Sequence, residues 1–372
     1  MHMRVHLQKW QRIVLITGAV ATTAGLLIYR LFYPGTSFLS DYMTAGNFEN
    51  SYTTSETAIN LPTQSIPVRI YTPSQNHIRS TILLVHGVHN DGYNESRLIH
   101  FTSTLVHHGY RVVTPDIRDL KQYQIVTGAV DDIEAVARWL ANKSKLLKPN
   151  EKFGMWGISF AGGLCLSVAA MPDLQDRISS GFSFGGHGDL DSTMHYLMTG
   201  NMPEGRLPPH IYGQAVLVRQ YASQLVPEDQ VAPLRETIYL YLKGEYKKAT
   251  ARSKLSAPES RELLQLIFDR DVKVLGKRLQ SKTGNPETGN RLSAVKGPSP
   301  KCTVHLLHGS TDNVIPPSEL NRLQQWAAAG GTTVYALVSS LINHVELEED
   351  TSFKLIEYLR IIRFWTELLR HT

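Results

Sequence analysis

The chain has 372 residues, of which 42% are hydrophobic and 19% charged, and these fractions exclude a wholly disordered chain, a collagen and a polytopic membrane protein. This length allows one large α/β domain with additional segments. The formal net charge of +5 is too small to indicate nucleic-acid binding by itself, and two cysteines exclude a disulfide framework and a cysteine-based zinc cluster.

The amino-terminal residues predict a membrane element. Residues 13–29 carry no charge, and Arg12 and Arg30 flank them. At about 1.5 Å per residue this run approaches the ~30 Å thickness of the hydrocarbon core. Basic residues precede it without an acidic one, which keeps the short amino end in the cytoplasm. We therefore expect residues 1–33 to form a single-pass anchor that places the rest of the chain on the non-cytoplasmic side. A cleaved signal peptide, giving a secreted or periplasmic protein, is the alternative.

The remaining chain predicts an α/β fold. Residues 34–65 are polar, turn-rich and aperiodic, which is typical of a stalk. From Val68 onward, short β-branched runs alternate with longer helical patterns. This alternation predicts a mostly parallel sheet with helices on both faces, built from residues 66–188 and 300–372. Residues 189–299 carry mainly helical signals and predict a cap inserted before the penultimate strand.

A serine lies where one predicted strand turns into a helix. The segment GISFAGG, residues 157–163, follows the strand KFGMWG. A turn this tight holds Ser159 in strained backbone geometry and tolerates only small residues two positions away, which Gly157 and Ala161 supply. The serine Oγ is then exposed above the sheet, with a helix N-terminus behind it. The pattern indicates a nucleophilic serine, and a serine that only caps a helix is the alternative.

A second strand end supplies candidate hydrogen-bond donors. The residues His86, Gly87 and Val88 follow the strand TILLV. The backbone N–H of Val88 and that of Phe160 can therefore converge on the oxygen of a tetrahedral intermediate. We expect these two groups to form an oxyanion hole.

An acid and a base follow the last two predicted strands. Asp312 comes after the strand CTVHLLHG, and His344 after the strand TTVYALVSS. Because the carboxyl ends of parallel strands share one edge of the sheet, Ser159, Asp312 and His344 can meet there. Asp189 and Asp191, after an earlier strand, compete with Asp312 for the role of the acid.

Four motifs in sequence order resemble those of the α/β-hydrolases, in the esterase, lipase and prolyl-oligopeptidase-like branch. They are the H-G after a strand, the serine segment, H-G-x-x-D-x-V-x-P at residues 308–316 and N-H-V at residues 343–345. The resemblance covers about residues 61–370 without the insertion, and Ala161 departs from it because the family more often has Gly there. It implies the α/β-hydrolase fold, and its order Ser, Asp, His is that of the family.

The chemistry of these residues predicts a serine hydrolase. His344 can accept the proton of Ser159 and return it to the leaving group, while Asp312 orients the imidazole. A carboxylic-ester hydrolase that forms an acyl-enzyme on a small-molecule or lipid-like ester is the main hypothesis. An acyltransferase or a peptidase would use the same three residues, and a membrane-tethered binding module would keep only the fold.

We expect no cofactor, no metal and no nucleic acid as a partner. Between Lys243 and Lys282, eleven Lys or Arg residues stand against five Asp or Glu. This basic stretch has neither the aromatic stripe nor the motifs that accompany nucleic-acid binding.

Overall fold

The computed structural model describes residues 22–23, 25–27, 29–44, 48–75, 77–283, 290–344, 346–347 and 355–372. Its strands, in chain order, are Tyr52–Asn60 (β1), Ser65–Pro73 (β2), Thr81–Val85 (β3), Arg111–Pro115 (β4), Phe153–Ile158 (β5), Ile178–Phe184 (β6), Asn201–Met202 (β7), Gly205–Arg206 (β8), Thr303–Gly309 (β9), Val334–Ser339 (β10), Ile342–Asn343 (β11) and Glu346–Leu347 (β12). Eight of them form one sheet in the order β1-β2-β4-β3-β5-β6-β9-β10. The pairs β1-β2 and β2-β4 are antiparallel, and the other neighbouring pairs of this sheet are parallel.

Helices connect most of the strands. They are residues 29–43 (α1), Ser96–His107 (α2), Arg118–Lys121 (α3), Gly128–Asn142 (α4), Phe160–Ala169 (α5), Leu190–Thr199 (α6), Ile211–Gln220 (α7), Ala222–Leu225 (α8), Glu228–Leu242 (α9), Tyr246–Ser253 (α10), Pro258–Phe268 (α11), Val272–Thr283 (α12), Ser318–Ala329 (α13) and Leu355–His371 (α14). Helices α6 to α12 lie between β6 and β9, in the stretch where we expected a helical insertion.

The sheet is apolar on both faces because successive side chains of a strand point in opposite directions. In β3, Leu83 and Val85 pack in the cluster that contains α4 and α5, whereas Ile82 and Leu84 pack with α1, α2 and α14. All four side chains are fully buried. This mostly parallel sheet with helices on both faces confirms the predicted α/β class.

The predicted membrane segment lies largely outside the described residues. Of residues 13–29, only 22–23, 25–27 and 29 are described. Within the part of the chain that the structure describes, no helix is both long enough and apolar enough to cross a bilayer. The membrane helix that we expected in the fold is therefore without structural support.

Residues 34–65 differ from the expected stalk. Helix α1 extends to residue 43, and its Phe38 is fully buried against Trp365 of α14. Strand β1 then forms the edge of the sheet, paired only with β2. Most of its side chains are exposed, as expected for an edge strand. Because this region is polar in composition, the sequence did not predict helix α1 or strand β1.

Candidate active site

Ser159 occupies a strained turn between β5 and α5. Its backbone has φ 53° and ψ −133°, a combination that non-glycine residues rarely adopt. A Cβ at position 157 would lie 2.4 Å from the carbonyl oxygen of Ala161, so this position requires glycine. Ala161 itself is fully buried, and its methyl group is accommodated. The turn therefore has the small residues that the sequence predicted.

The structure brings Ser159, His344 and Asp312 together in one chain of hydrogen bonds. Ser159 Oγ lies 2.8 Å from His344 Nε2, and His344 Nδ1 lies 2.7 Å from Asp312 Oδ2. With a proton on Nδ1, the imidazole donates to the carboxylate and its Nε2 accepts from the serine hydroxyl. The arrangement can therefore move the serine proton onto the imidazole.

Asp312 is held as a carboxylate although it is fully buried. Its Oδ1 accepts hydrogen bonds from the backbone N–H groups of Val314 and Ile315, at 2.9 and 3.0 Å. Burial alone would raise the pKa of Asp312, but the neighbouring His344 and His308 lower it well below its usual range. A negative charge is thus maintained beside the imidazole.

Neither competing aspartate lies beside His344. Asp189 caps α6, where its side chain accepts from the backbone N–H of Asp191 at 3.2 Å and from Ser293 Oγ at 3.1 Å. Asp191 pairs with Lys296. These contacts anchor the start of the helical insertion, so among the three candidate acids Asp312 is the one that reaches the base.

The two predicted oxyanion-hole residues lie on either side of the serine. Gly87 approaches so closely that a Cβ on it would be 3.1 Å from Ser159 Cβ, and Val88 follows it directly. Phe160 is the first residue of α5, where a backbone N–H has no carbonyl of its own helix to bond. Both segments can therefore direct N–H groups at the oxygen of a carbonyl carbon that Ser159 Oγ attacks.

A cavity of about 380 Å³ lies against Ser159 and His344. Its lining is mostly apolar and includes, besides residues at the strand ends, two groups of helices. One group is α1, α2 and α14, and the other is α6, α7 and α9. Among the described residues, no group of three or more His, Cys, Asp or Glu side chains is placed to hold a metal ion.

The family model described as the alpha/beta hydrolase fold matches residues 80–340, which is more than half of the chain. The chain belongs to the α/β-hydrolase family. No curated protein matches this α/β-hydrolase by sequence.

Solved structures with a similar fold include two from archaea. The acylaminoacyl peptidase of Pyrococcus horikoshii is 12% identical with a TM-score of 0.46, and the match covers 86% of this chain and 41% of that one. An esterase of Pyrobaculum calidifontis is 13% identical with a TM-score of 0.46, and the match covers 89% and 87%. Esterase 2 of Thermogutta terrifontis is 12% identical with a TM-score of 0.46, covering 85% and 94%. This α/β-hydrolase thus spans less than half the length of the peptidase that it matches.

The sequence analysis missed two polar contacts that support the site of this α/β-hydrolase. His308 Nε2 lies 3.1 Å from Asp312 Oδ2, the oxygen that also contacts His344. Tyr212 of α7 donates its hydroxyl proton to the carbonyl oxygen of Val88 at 2.5 Å. His308 is the first residue of the motif at residues 308–316, so that motif could have identified it. Tyr212 lies in the insertion, where no sequence motif marks it.

Proposed function

We propose that this α/β-hydrolase is a serine hydrolase that cleaves carboxylic esters through an acyl-enzyme. The observation that carries the proposal is the 2.8 Å contact between Ser159 Oγ and His344 Nε2, continued at 2.7 Å to Asp312. A serine that only caps a helix would need no hydrogen bond to a histidine. The strained backbone of Ser159 supports the same role, since a strained strand-to-helix turn is typical of a nucleophile.

In the proposed reaction Ser159 Oγ attacks the ester carbonyl while His344 takes the hydroxyl proton. The oxygen of the tetrahedral intermediate accepts hydrogen bonds from the N–H groups of Val88 and Phe160. His344 then gives its proton to the departing alcohol, leaving Ser159 acylated. A water molecule, deprotonated by His344, attacks the acyl-enzyme and releases the carboxylic acid. Asp312 stabilises the imidazolium of His344 during both acylation and deacylation.

The cavity lining favours an ester over a peptide. Side chains such as Leu98, Phe101, Met194 and Leu197 face the cavity. A peptide substrate presents backbone N–H and carbonyl groups that need polar partners, and a mostly apolar surface supplies few of them.

Labelling with a fluorophosphonate tests the proposal, because only an activated serine reacts with it. The full chain should be labelled and should hydrolyse p-nitrophenyl butyrate. Ser159→Ala should lose both properties, whereas the matched variant Ser310→Ala, at an exposed serine, should keep them. Labelling that survives in Ser159→Ala would place the nucleophile elsewhere and refute the proposal.

We also propose that residues 13–29 attach the hydrolase to a membrane, with the catalytic domain on the non-cytoplasmic side. The uncharged run and its basic amino-terminal flank support this location. A cleaved signal peptide remains the alternative.

A further inference from the structure

Helix α1 is fixed against the body of the protein. The backbone N–H of Gly35 donates to Thr366 Oγ1 of α14 at 2.9 Å. A Cβ on Gly35 would lie 2.0 Å from the carbonyl oxygen of Ile362, so the two helix backbones are in close contact. The ring of Phe38 stacks on Trp365 at 4.8 Å and meets Phe101 of α2 edge-on at 6.0 Å. Helix α1 is therefore packed as an integral part of the domain.

Part of the cavity wall is formed by this helix. We call the set Phe38, Leu39, Tyr42, Leu98, Phe101 and Trp365 the α1 compartment; all six side chains line the cavity that contains Ser159 and His344. The compartment combines residues from α1, α2 and α14. Its lining is aromatic or aliphatic, and its polar groups are the phenol of Tyr42 and the indole N–H of Trp365, which is buried without a hydrogen-bond partner among the described residues.

The compartment connects to the serine through buried residues at the strand ends. Phe184 of β6, Leu307 of β9 and Ile342 of β11 line the same cavity and belong to the same apolar cluster as Phe38 and Trp365. A chain bound there would therefore contact apolar side chains from the reacting ester outward. The second lining group, which includes Met194 of α6, lies in a different cluster on the insertion side.

We propose that the α1 compartment binds one long, unbranched apolar chain of the substrate, so that the hydrolase acts on long-chain esters. This inference rests on the proposed ester hydrolysis. Each methylene transferred from water into an apolar site should raise kcat/KM by about fourfold, which corresponds to about 0.8 kcal/mol. Because α1 continues directly from the proposed membrane segment, the compartment is also placed to receive a chain from a lipid surface.

The test measures kcat/KM for two ester series with the full chain in a constant concentration of detergent. In one series the acyl chain of p-nitrophenyl esters is lengthened, and in the other the alkyl chain of acetate esters. The series with the steeper rise identifies which side of the ester occupies the compartment. A flat response in both series would overturn the inference.

Three variants locate the chain. Leu39→Trp should fill the α1 compartment and lower the ratio of long-chain to short-chain kcat/KM by at least tenfold. Met43→Trp, at an exposed position of the same helix, should leave that ratio unchanged. Met194→Trp should slow long and short esters alike. If Met194→Trp removes the chain-length preference and Leu39→Trp keeps it, the chain lies under the insertion and the inference is wrong.

Two checks separate failure of this inference from failure of the proposed function. Unlabelled Ser159 and no hydrolysis of any ester would refute the ester hydrolase itself. Hydrolysis with a preference insensitive to Leu39→Trp would refute only the role of the compartment. If Leu39→Trp does not fold, as judged by lost fluorophosphonate labelling, Leu98→Trp replaces it. This variant fills the α1 compartment from α2, and the same ratio of long-chain to short-chain kcat/KM is measured.

Discussion

His308 Nε2 lies 3.1 Å from Asp312 Oδ2, the oxygen that also contacts His344 Nδ1 at 2.7 Å. The same nitrogen of His308 lies 2.9 Å from the carbonyl oxygen of Ile315. Burial alone would lower the pKa of His308, but the hydrogen bond and charge of Asp312 raise it. The carboxylate is thus placed between two imidazoles, of which one faces the serine and the other holds the carboxylate in place.

His308→Gln should shift the pH dependence of turnover. The variant keeps a hydrogen-bond donor to Asp312 but removes the imidazole whose pKa that carboxylate raises. Replacing the ionisable partner of the carboxylate with a neutral amide should move the acid limb of the kcat/KM profile to higher pH. His305→Phe, in the same strand and outside the triad, should leave the limb in place. An unchanged profile in His308→Gln would exclude a positioning role for this residue.

Asp312→Asn should reduce kcat by about 10⁴-fold, because the amide stabilises the wrong imidazole tautomer. Asp189→Asn should have little effect on turnover, since Asp189 caps α6 and lies away from His344. Steady-state hydrolysis of p-nitrophenyl butyrate by both variants provides the comparison. The opposite ranking would transfer the acid role to the start of the insertion.

Tyr212→Phe should lower kcat/KM by about fivefold, which corresponds to the loss of one hydrogen bond of about 1 kcal/mol. The missing hydroxyl releases the carbonyl of Val88, so the adjacent N–H is held less firmly in the oxyanion hole. Tyr221→Phe is the control on the insertion, because its hydroxyl donates to the weak acceptor Met194 Sδ at 3.8 Å. Equal effects of the two variants would argue against a link through Val88.

His305→Phe should stabilise the protein in acid. His305 is fully buried, and neither ring nitrogen has a hydrogen-bond partner among the described residues. Burial lowers its pKa from 6.5 to about 3. The native state therefore binds fewer protons than the unfolded state, and stability is lost as pH falls from 6.5 toward 3. At pH 5 the loss is about 2 kcal/mol, which phenylalanine would avoid while still stacking on Tyr335.

The measurement for His305→Phe is urea unfolding at pH 7.5 and pH 5. The difference in unfolding free energy between the two pH values should be smaller in the variant than in the parent protein. An identical difference in both proteins would mean that His305 does not titrate in this range.

The full chain should sediment with membranes and resist extraction by carbonate. Protease added outside intact cells or spheroplasts should cleave the hydrolase domain, because the basic amino end stays in the cytoplasm. Mature protein that begins near Ala24 and is free outside the cytoplasm would identify a cleaved signal peptide instead. Protection from the external protease without cleavage would reverse the orientation.

The sequence predicted that Ser159, Asp312 and His344 lie together because each follows the end of a strand in one parallel sheet. Ser159, Asp312 and His344 are far apart in the chain, yet the strand order β5-β6-β9-β10 brings the ends that precede them to one edge. Spacing and residue type were sufficient for this arrangement. The sequence favoured Asp312 over Asp189, although both follow a strand, and the structure adds that Asp312 contacts His344 whereas Asp189 caps α6.

The role of α1 could not be predicted from local pattern. Its apolar residues Phe38, Leu39 and Tyr42 are scattered among polar ones, which suggested a stalk. What orders them is contact with α2 and α14, elements distant in the sequence. The contact of His308 could not be predicted either. The position of Asp312 Oδ2 depends on the conformation of the loop between β9 and α13, which residue periodicity does not specify.

The contact between Gly35 and Thr366 joins residues 331 positions apart. At about 5–20 residues per second, a ribosome that has made α1 needs roughly 15–70 s to make its partner helix. Throughout that interval Phe38 and Leu39 lack the α14 surface, and the wall that they form beside Ser159 is incomplete. A nascent chain therefore completes this cavity only after α14 has been made, late in its synthesis.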